Sequence, residues 1–400
     1  MVREMDFVDE CYADKDLSLL KKLTLVIPTY NRNYYLSRCL WYHAHFPFGQ
    51  IIVADSSPEE KKVVNRETVA KVREMFGADI LYLEYEPETD KYGGDIYRKW
   101  GDAVMHVETE YTQVCTDKAF RIPTLFIDAI TFLSNNRDYV ASKPGTGHYI
   151  TNKSPYPLIP ERFSIPEDKN DLLDGFLDSL CNVGWGNSAM FSVFRTQTLK
   201  EIFLPIVNQR INDIRYGEFH IGYSCYLLGK IHIKNTEPFT IRDVSHVPSN
   251  RPSSESSTTR YHGIYSHRYL LSPKGRGMYN NYKSELIGLI SLQSHTTVDT
   301  IAKMIDEDIR PTLFIKYFGF PSNKKLYLLL IKIPLISLCY PFVKKILYFW
   351  RCCLDFKNKN PQHPFTIVQL QEEVRTDETK IISQVVSNTS DLYDDDKSII

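Results

Sequence analysis

A chain of 400 residues with 43% hydrophobic and 13% aromatic content has ample material for a large buried core, which excludes a disordered or low-complexity protein. Lys and Arg number 48 against 49 Asp and Glu, a net charge of -1, so a chain-wide nucleic-acid-binding surface is excluded and any basic surface is local. The eight cysteines show no CxxC spacing and lie in apolar stretches, as small hydrophobes in a reducing compartment do. Arg3, Glu4, Asp6, Asp9, Glu10, Asp14 and Asp16 interrupt the first twenty residues, which leaves no signal-peptide core there; the expected location is the cytoplasm.

Residues 1–22 read as an N-terminal extension. Residues 23–27 form an apolar strand ending in Pro28, and residues 51–54 form a second, ending at Asp55-Ser56-Ser57-Pro58; continuous apolar runs of this length are typical of buried parallel strands. Between them Leu36, Cys39, Leu40 and His43 recur at helical spacing. After them Val69, Val72 and Phe76 do the same until Gly77 stops the helix. A third strand, 80–85, leads to a helix carrying Ile96, Trp100, Ala103, Val104 and Val107 on one face, and residues 111–115 form a fourth strand. This alternation predicts an α/β fold with an open, mostly parallel sheet and helices on both faces. Ligands of such sheets bind beyond the C-terminal strand ends.

Beyond residue 140 the rhythm loosens. Residues 151–170 are proline-rich, and 248–260 is a Ser/Thr/Pro stretch containing Arg251; both read as surface loops. A strand is expected at 190–194 and a helix between Gly217 and Gly229. The sequence divides into a half at 23–150, a second half at 151–310, a basic and apolar segment at 311–358 and an acidic tail at 359–400. In the third of these, Lys332, Pro334 and Pro341 break the one candidate membrane span, which would need about 20 apolar residues. Packed helices and an interfacial basic segment on the cytoplasmic face of a membrane both remain open for it.

The stretch Leu25-Val26-Ile27-Pro28-Thr29-Tyr30-Asn31-Arg32 resembles the opening strand and loop of family-2-like GT-A glycosyltransferases. So do residues 51–57 and 108–117, in the same order, with the Asp-Ser-Ser loop and Thr-x-Tyr pattern of the bacterial surface-polysaccharide branch. The resemblance covers about 23–135 and, loosely, 185–245. It implies a GT-A (Rossmann-like) sheet, a nucleotide-sugar donor, and a glycan or lipid-linked acceptor. The donor site then falls on the strand ends: Pro28, Thr29, Tyr30, Asn31 and Arg32 around the base, Asp55 and Ser56 beside it, Thr116, Asp117 and Lys118 toward the ribose and diphosphate, with Lys99 or Arg98 as further phosphate ligands. For Asp55 a turn carboxylate is the alternative role, and for Lys99 and Arg98 a solvated helix face.

Members of that family carry Asp-x-Asp where this chain has Asp117-Lys118-Ala119. The implied divalent cation, Mg²⁺ or Mn²⁺, prefers carboxylate oxygens, so Ala119 puts it in doubt. Asp117 and His246 are the only candidate ligands, and Lys118 is a substitute charge for the diphosphate. An inverting transfer also needs a general base, which the family places at a helix start; Glu218 is the first candidate and Asp213 the second. His220 and His246 are weaker candidates against a structural role. Trp185, between Gly184 and Gly186, suits a sugar-stacking platform or a core position, and Arg242 and Asp243 are expected on the acceptor side. A nucleotidyltransferase would carry a Gly-rich loop after the first strand, and residues 28–32 contain no glycine. A catalytically degenerate sugar- or nucleotide-binding protein is the other alternative.

Overall fold

The structure, a computed structural model, describes residues 16–87, 96–144, 147–151, 158–162, 190–234, 240–243, 273–293 and 297–309. These divide into two compact units, one holding the described residues up to 243 and the other residues 273–309. The first unit opens with a 3-10 turn, Leu17–Lys22, capped by Asp16 Oδ1, which accepts from Ser18 N at 2.9 Å. Leu20 of this turn is fully buried, so the segment expected as an extension contributes to the core from residue 17 onward.

The elements then follow as β1 (Leu23–Thr29), α1 (Asn33–His43), β2 (Gln50–Asp55), α2 (Glu59–Phe76), β3 (Ile80–Glu84), α3 (Ile96–Met105), β4 (Tyr111–Val114), β5 (Ala119–Arg121), α4 (Pro123–Asn135), β6 (Tyr139–Pro144), β7 (Gly147–Thr151), β8 (Leu158–Arg162), β9 (Val193–Arg195), α5 (Thr196–Val207), α6 (Ile214–Leu227), β10 (Lys230–Lys234) and β11 (Thr240–Asp243). The main sheet has the order β10-β6-β9-β4-β1-β2-β3. All its strands are parallel except β9, which runs antiparallel to both β4 and β6. This is the open, mostly parallel sheet with helices on both faces expected from the sequence. A second sheet, β5-β11-β7-β8, pairs β11 parallel to β7 and antiparallel to β5.

β1 and β2 are buried along nearly their whole length, as strands covered on both faces are. Helices α1, α2 and α4 share one core with the opening turn, built on Leu25, Ile27, Ile51, Val53, Leu36, Leu40, Val69, Val72, Phe126 and Ile130. Helices α3, α5 and α6 pack together on the other face. Gly101 sets how closely α3 approaches α5: a Cβ there would lie 2.8 Å from Val207 Cγ2 and 2.9 Å from Phe203 Cδ1. Gly77 ends α2 in the left-handed region (φ 62°) with its N–H on the Arg73 carbonyl at 2.9 Å, the cap expected of a glycine there.

Three local expectations are corrected. The strand expected at 190–194 is β9, shifted to Val193–Arg195, because residues 190–191 make a 3-10 turn first. The helix expected from Gly217 starts at Ile214, where the Gly217 N–H already reaches the Asp213 carbonyl at 2.8 Å. Val107 lies past the end of α3 and is buried from the following loop. In the second unit, α7 (Pro273–Gln293) is followed by α8 (Val298–Met304), which Thr297 caps. No described helix is long and apolar enough to cross a membrane. The 311–358 segment and the acidic tail lie outside the described residues.

Candidate functional site

Chain order turns around β1: β2 lies on one side of it and β4 on the other. Such a reversal opens a crevice at the C-terminal strand ends, where ligands of doubly wound sheets bind. Two carboxylates border it. Asp55 is the last residue of β2, in register with Thr29 of β1; Asp117 follows β4, whose Val114 is paired with Val26.

Asp117 is buried, and both its oxygens are engaged from the β1 side. Oδ2 accepts from Thr29 Oγ1 at 2.9 Å, and Oδ1 accepts from Arg32 Nη1 at 3.2 Å. Arg32 is brought over by Asn31, which takes a left-handed conformation (φ 53°) that Asn tolerates better than most residues. Asn31 N–H donates to Ser57 Oγ at 2.8 Å, which ties the β1 exit loop to the β2 exit loop. Pro28 is paired with Ala54 inside β1, so it shapes the strand end from within the ladder. Tyr30 is half-buried at the mouth.

Asp55 is fully buried and has partners of its own. Oδ1 accepts from Ser57 N at 2.7 Å, while Oδ2 accepts from Asn65 Nδ2 at 2.6 Å and from Tyr82 OH at 2.5 Å. Burial first, then the bond to Asp55, push the Tyr82 phenol well above its ordinary value, so it stays a donor. Asn65 and Tyr82 are residues that sequence reasoning missed. The available signal is Asn65 itself, a poor helix former facing the core from the middle of a charged helix.

Lys99 overturns the solvated-face reading of its position. It is 2% exposed, and Nζ donates to Thr29 O at 3.0 Å and Ser56 Oγ at 2.7 Å. Ser56 Oγ in turn donates to Thr29 O at 3.3 Å. The ammonium thus fastens the ends of β1 and β2 from below and puts a positive charge under the crevice. Arg98, one residue earlier, lines a shallow open cleft with Tyr97, Ile206, Gln209, Ile211, Asn212, Asp213, Ile214 and Gly217. Because α6 precedes β10, parallel to β6, the start of α6 lies at the same end of the sheet as Asp117. Asp213 therefore faces this cleft, and Glu218 sits one turn into α6 rather than at its start.

Thr116 and Ala119 make the turn after β4, with Ala119 N–H on Thr116 O at 3.0 Å; Lys118 lies half-buried within it. Beneath the turn are two buried thiols. Cys39 and Cys115 both donate toward the carbonyls of Thr116 and Ala119, and burial pushes the Cys39 thiol well up. His43 holds β5 to α1: Nδ1 donates to Cys39 O at 2.8 Å, and Nε2 accepts from Arg121 N at 3.3 Å. Burial lowers His43 to about 3, consistent with this neutral tautomer. His220 is likewise structural. It is buried, bonded through Nε2 to Ile202 O at 3.0 Å and lowered by burial to about 4. His246 and Trp185 lie outside the described residues. Of Arg242 and Asp243 the backbone is described, with Arg242 opposite Ala119 in the second sheet.

Among the described residues, those around Asp117 do not fit a divalent cation. Asp117 supplies one carboxylate, already facing a guanidinium, and Ala119 offers a buried methyl group where a second carboxylate is needed. Among the described residues no three His, Cys, Asp or Glu side chains gather to hold a metal.

No family model matches the chain, and no curated protein sequence matches it. Among solved structures the chain is similar to TarS of S. aureus, residues 1–349, with a TM-score of 0.39 and 15% identity over 74% of this chain and 89% of that one. The complex of the same TarS fragment with UDP-GlcNAc gives 0.39 and 14% over the same shares. The complex with UDP gives 0.39 and 13% over 74% and 75%.

Proposed function

We propose that the protein is a nucleotide-sugar-dependent glycosyltransferase, acting with inversion on a glycan or lipid-linked acceptor in surface-polysaccharide synthesis. The observation that carries this reading is Asp117, held at the crevice beside β1 by Thr29 and Arg32 and facing Asp55 across the same strand. A nucleoside diphosphate needs acceptors for ribose and base and cations for its phosphates. The crevice offers carboxylates on both sides, the Arg32 guanidinium at its mouth and Lys99 beneath. Lys118, in the turn beside Asp117, is the proposed partner of the diphosphate.

In this reading a carboxylate removes the proton of an acceptor hydroxyl as its oxygen attacks the anomeric carbon. The bond to the nucleoside diphosphate breaks with the electron pair leaving on phosphate oxygen. Asp213, lining the cleft at the start of α6, and Glu218, one turn further, are the two candidate bases. A thermal-shift screen with UDP-, GDP-, CMP- and dTDP-sugars tests the reading, because a ligand of the native state raises the melting temperature by mass action. One donor class is expected to stabilise the wild type, and Asp117→Asn to weaken that binding at least tenfold. No shift with any nucleotide sugar would overturn it.

A further inference from the structure

Cys39 lies in the middle of α1, and Cys115 is the first residue past β4, in the segment that runs on to Asp117. Both are free thiols, and their sulfurs converge on the same two carbonyls. Cys39 Sγ lies 4.0 Å from Thr116 O and 3.7 Å from Ala119 O, and Cys115 Sγ lies 3.5 Å from each. The thiols also hydrogen bond to each other, Cys39 donating to Cys115. Both backbones are fixed: Cys39 by its helix, Cys115 by its N–H on Val26 O of β1 at 2.8 Å. Two sulfurs in contact between a helix and a strand end are placed for a disulfide, in which they close to about 2.05 Å.

Their surroundings make the two sulfurs chemically unequal. Burial raises the Cys115 thiol, but the bond from Cys39 and the Arg121 guanidinium beside it outweigh this and lower it to about 7. Cys39 is pushed well up by burial and then by Cys115, with Asp117 adding to the rise and Arg121 opposing it. Cys115 is thus the sulfur that ionises and attacks, and Cys39 the one that resolves. Two cysteines serving only as small hydrophobes need neither the contact nor the guanidinium.

We propose that Cys39 and Cys115 are a reversible redox pair whose disulfide pins the Asp117 turn to α1 and so regulates the crevice. Only the identity of the regulated ligand rests on the glycosyl-transfer reading. The oxidant is a hydroperoxide, and hydrogen peroxide, little larger than water, suits sulfurs this deeply buried. The Cys115 thiolate attacks one peroxide oxygen, the O–O bond breaks, and the departing oxygen takes up a proton and leaves as water or an alcohol. Cys39 then forms the S–S bond at the sulfenic sulfur, and its proton leaves with the hydroxyl as water. A dithiol restores both thiols by exchange. Both Asp117 oxygens already accept from Thr29 and Arg32, so a ligand taking up this carboxylate draws on movement of the turn, which the disulfide denies.

Peptide mapping of the wild-type chain after hydrogen peroxide treatment and alkylation of the remaining thiols tests the pair. The tryptic peptides holding Cys39 and Cys115 are expected as one linked species, two hydrogens lighter than their sum, which dithiothreitol separates. In Cys39→Ala, Cys115 is expected as a sulfenic acid that dimedone traps. Amide exchange of residues 116–121 should slow at least tenfold in the oxidised wild type, because the turn can no longer open. No link between the two peptides, or exchange that does not slow, overturns the proposal. The nucleotide sugar that stabilises the reduced protein should bind the oxidised form at least threefold more weakly, and equal affinity overturns the regulatory role. Nucleotide sugars that bind neither form mark failure of the glycosyltransferase reading, while the linked peptide and the exchange rates still decide the redox pair.

Discussion

Asp55→Ala removes the acceptor of three hydrogen bonds and leaves Ser57 N, Asn65 Nδ2 and Tyr82 OH facing a void where a carboxylate stood. Hydrogen bonds to a charged group contribute about 1.5–3 kcal/mol each when one partner is removed. Sharing of one carboxylate makes them non-additive, so the expected loss is about 3–4 kcal/mol. For a unit of this size that is a fall of roughly 10 °C in melting temperature. Tyr82→Phe removes one donor alone and is expected to cost about 1–2 kcal/mol, and in Asp55→Ala/Tyr82→Phe the two losses should fall short of their sum by about 1 kcal/mol. Urea unfolding followed by circular dichroism of all four proteins measures the cycle. A loss below 1 kcal/mol in Asp55→Ala, or strict additivity, refutes the view of Asp55 as the hub that holds the end of β2. If the cycle holds and nucleotide affinity also falls in Asn65→Ala, which keeps the carboxylate, the base reads the whole cluster rather than Asp55 alone.

The two buried lysines predict changes of opposite sign. Lys99→Met removes the buried donor shared by Thr29 O and Ser56 Oγ and should destabilise by about 1–3 kcal/mol, whereas Lys143→Met removes an unanswered amine and should stabilise by about 1–3 kcal/mol. The folded-state value of Lys143 is lowered from 10.5 to about 7. Its penalty is therefore absent above the unfolded value, grows as pH falls and is complete near pH 7, so the gap between Lys143→Met and wild type, followed by thermal melts, should widen from pH 10 to 7 and then level. With one carboxylate at Asp117 and none at Ala119, the proposed transfer measured in EDTA should persist within about tenfold of the untreated protein's rate; full loss restored by Mn²⁺ would refute this. Glu218→Gln and Asp213→Asn, compared by initial rates, should differ: the one that is the base falls by about 10²–10⁴-fold in turnover at little-changed donor affinity, and near-normal turnover in both would leave the inverting reading without a base.

The first four strands and three helices are legible in the sequence because their burial follows a simple period: apolar runs at 23–27 and 51–54, and helical recurrence at Val69, Val72 and Phe76 ending on Gly77. The C-terminal strand ends could therefore be named as the crevice, and Thr29, Asp55 and Asp117 with them. The second sheet is not legible, and β9 is legible only with its bounds shifted. Their strands are three to five residues long, too short for a period to emerge. Lys99 is misread because a long apolar stem allows a charged head to cross the core to polar partners, which a helical wheel cannot express. Asn65 and Lys143 are invisible for a related reason: each matters only through what lies across from it on another strand or helix.

The two thiols beneath the turn that bears Asp117 give that turn a chemical clock. Cys39 is 1% exposed and Cys115 fully buried, so an aromatic disulfide reagent reaches them only when the segment between β4 and β5 lifts away from α1. In a variant keeping only these two cysteines, the labelling rate at saturating reagent equals the lifting rate. A ligand that clamps Asp117 from above would slow the reaction without touching either sulfur. Crevice occupancy would thus be read from the opposite side of the turn, with no label on the ligand and no turnover needed.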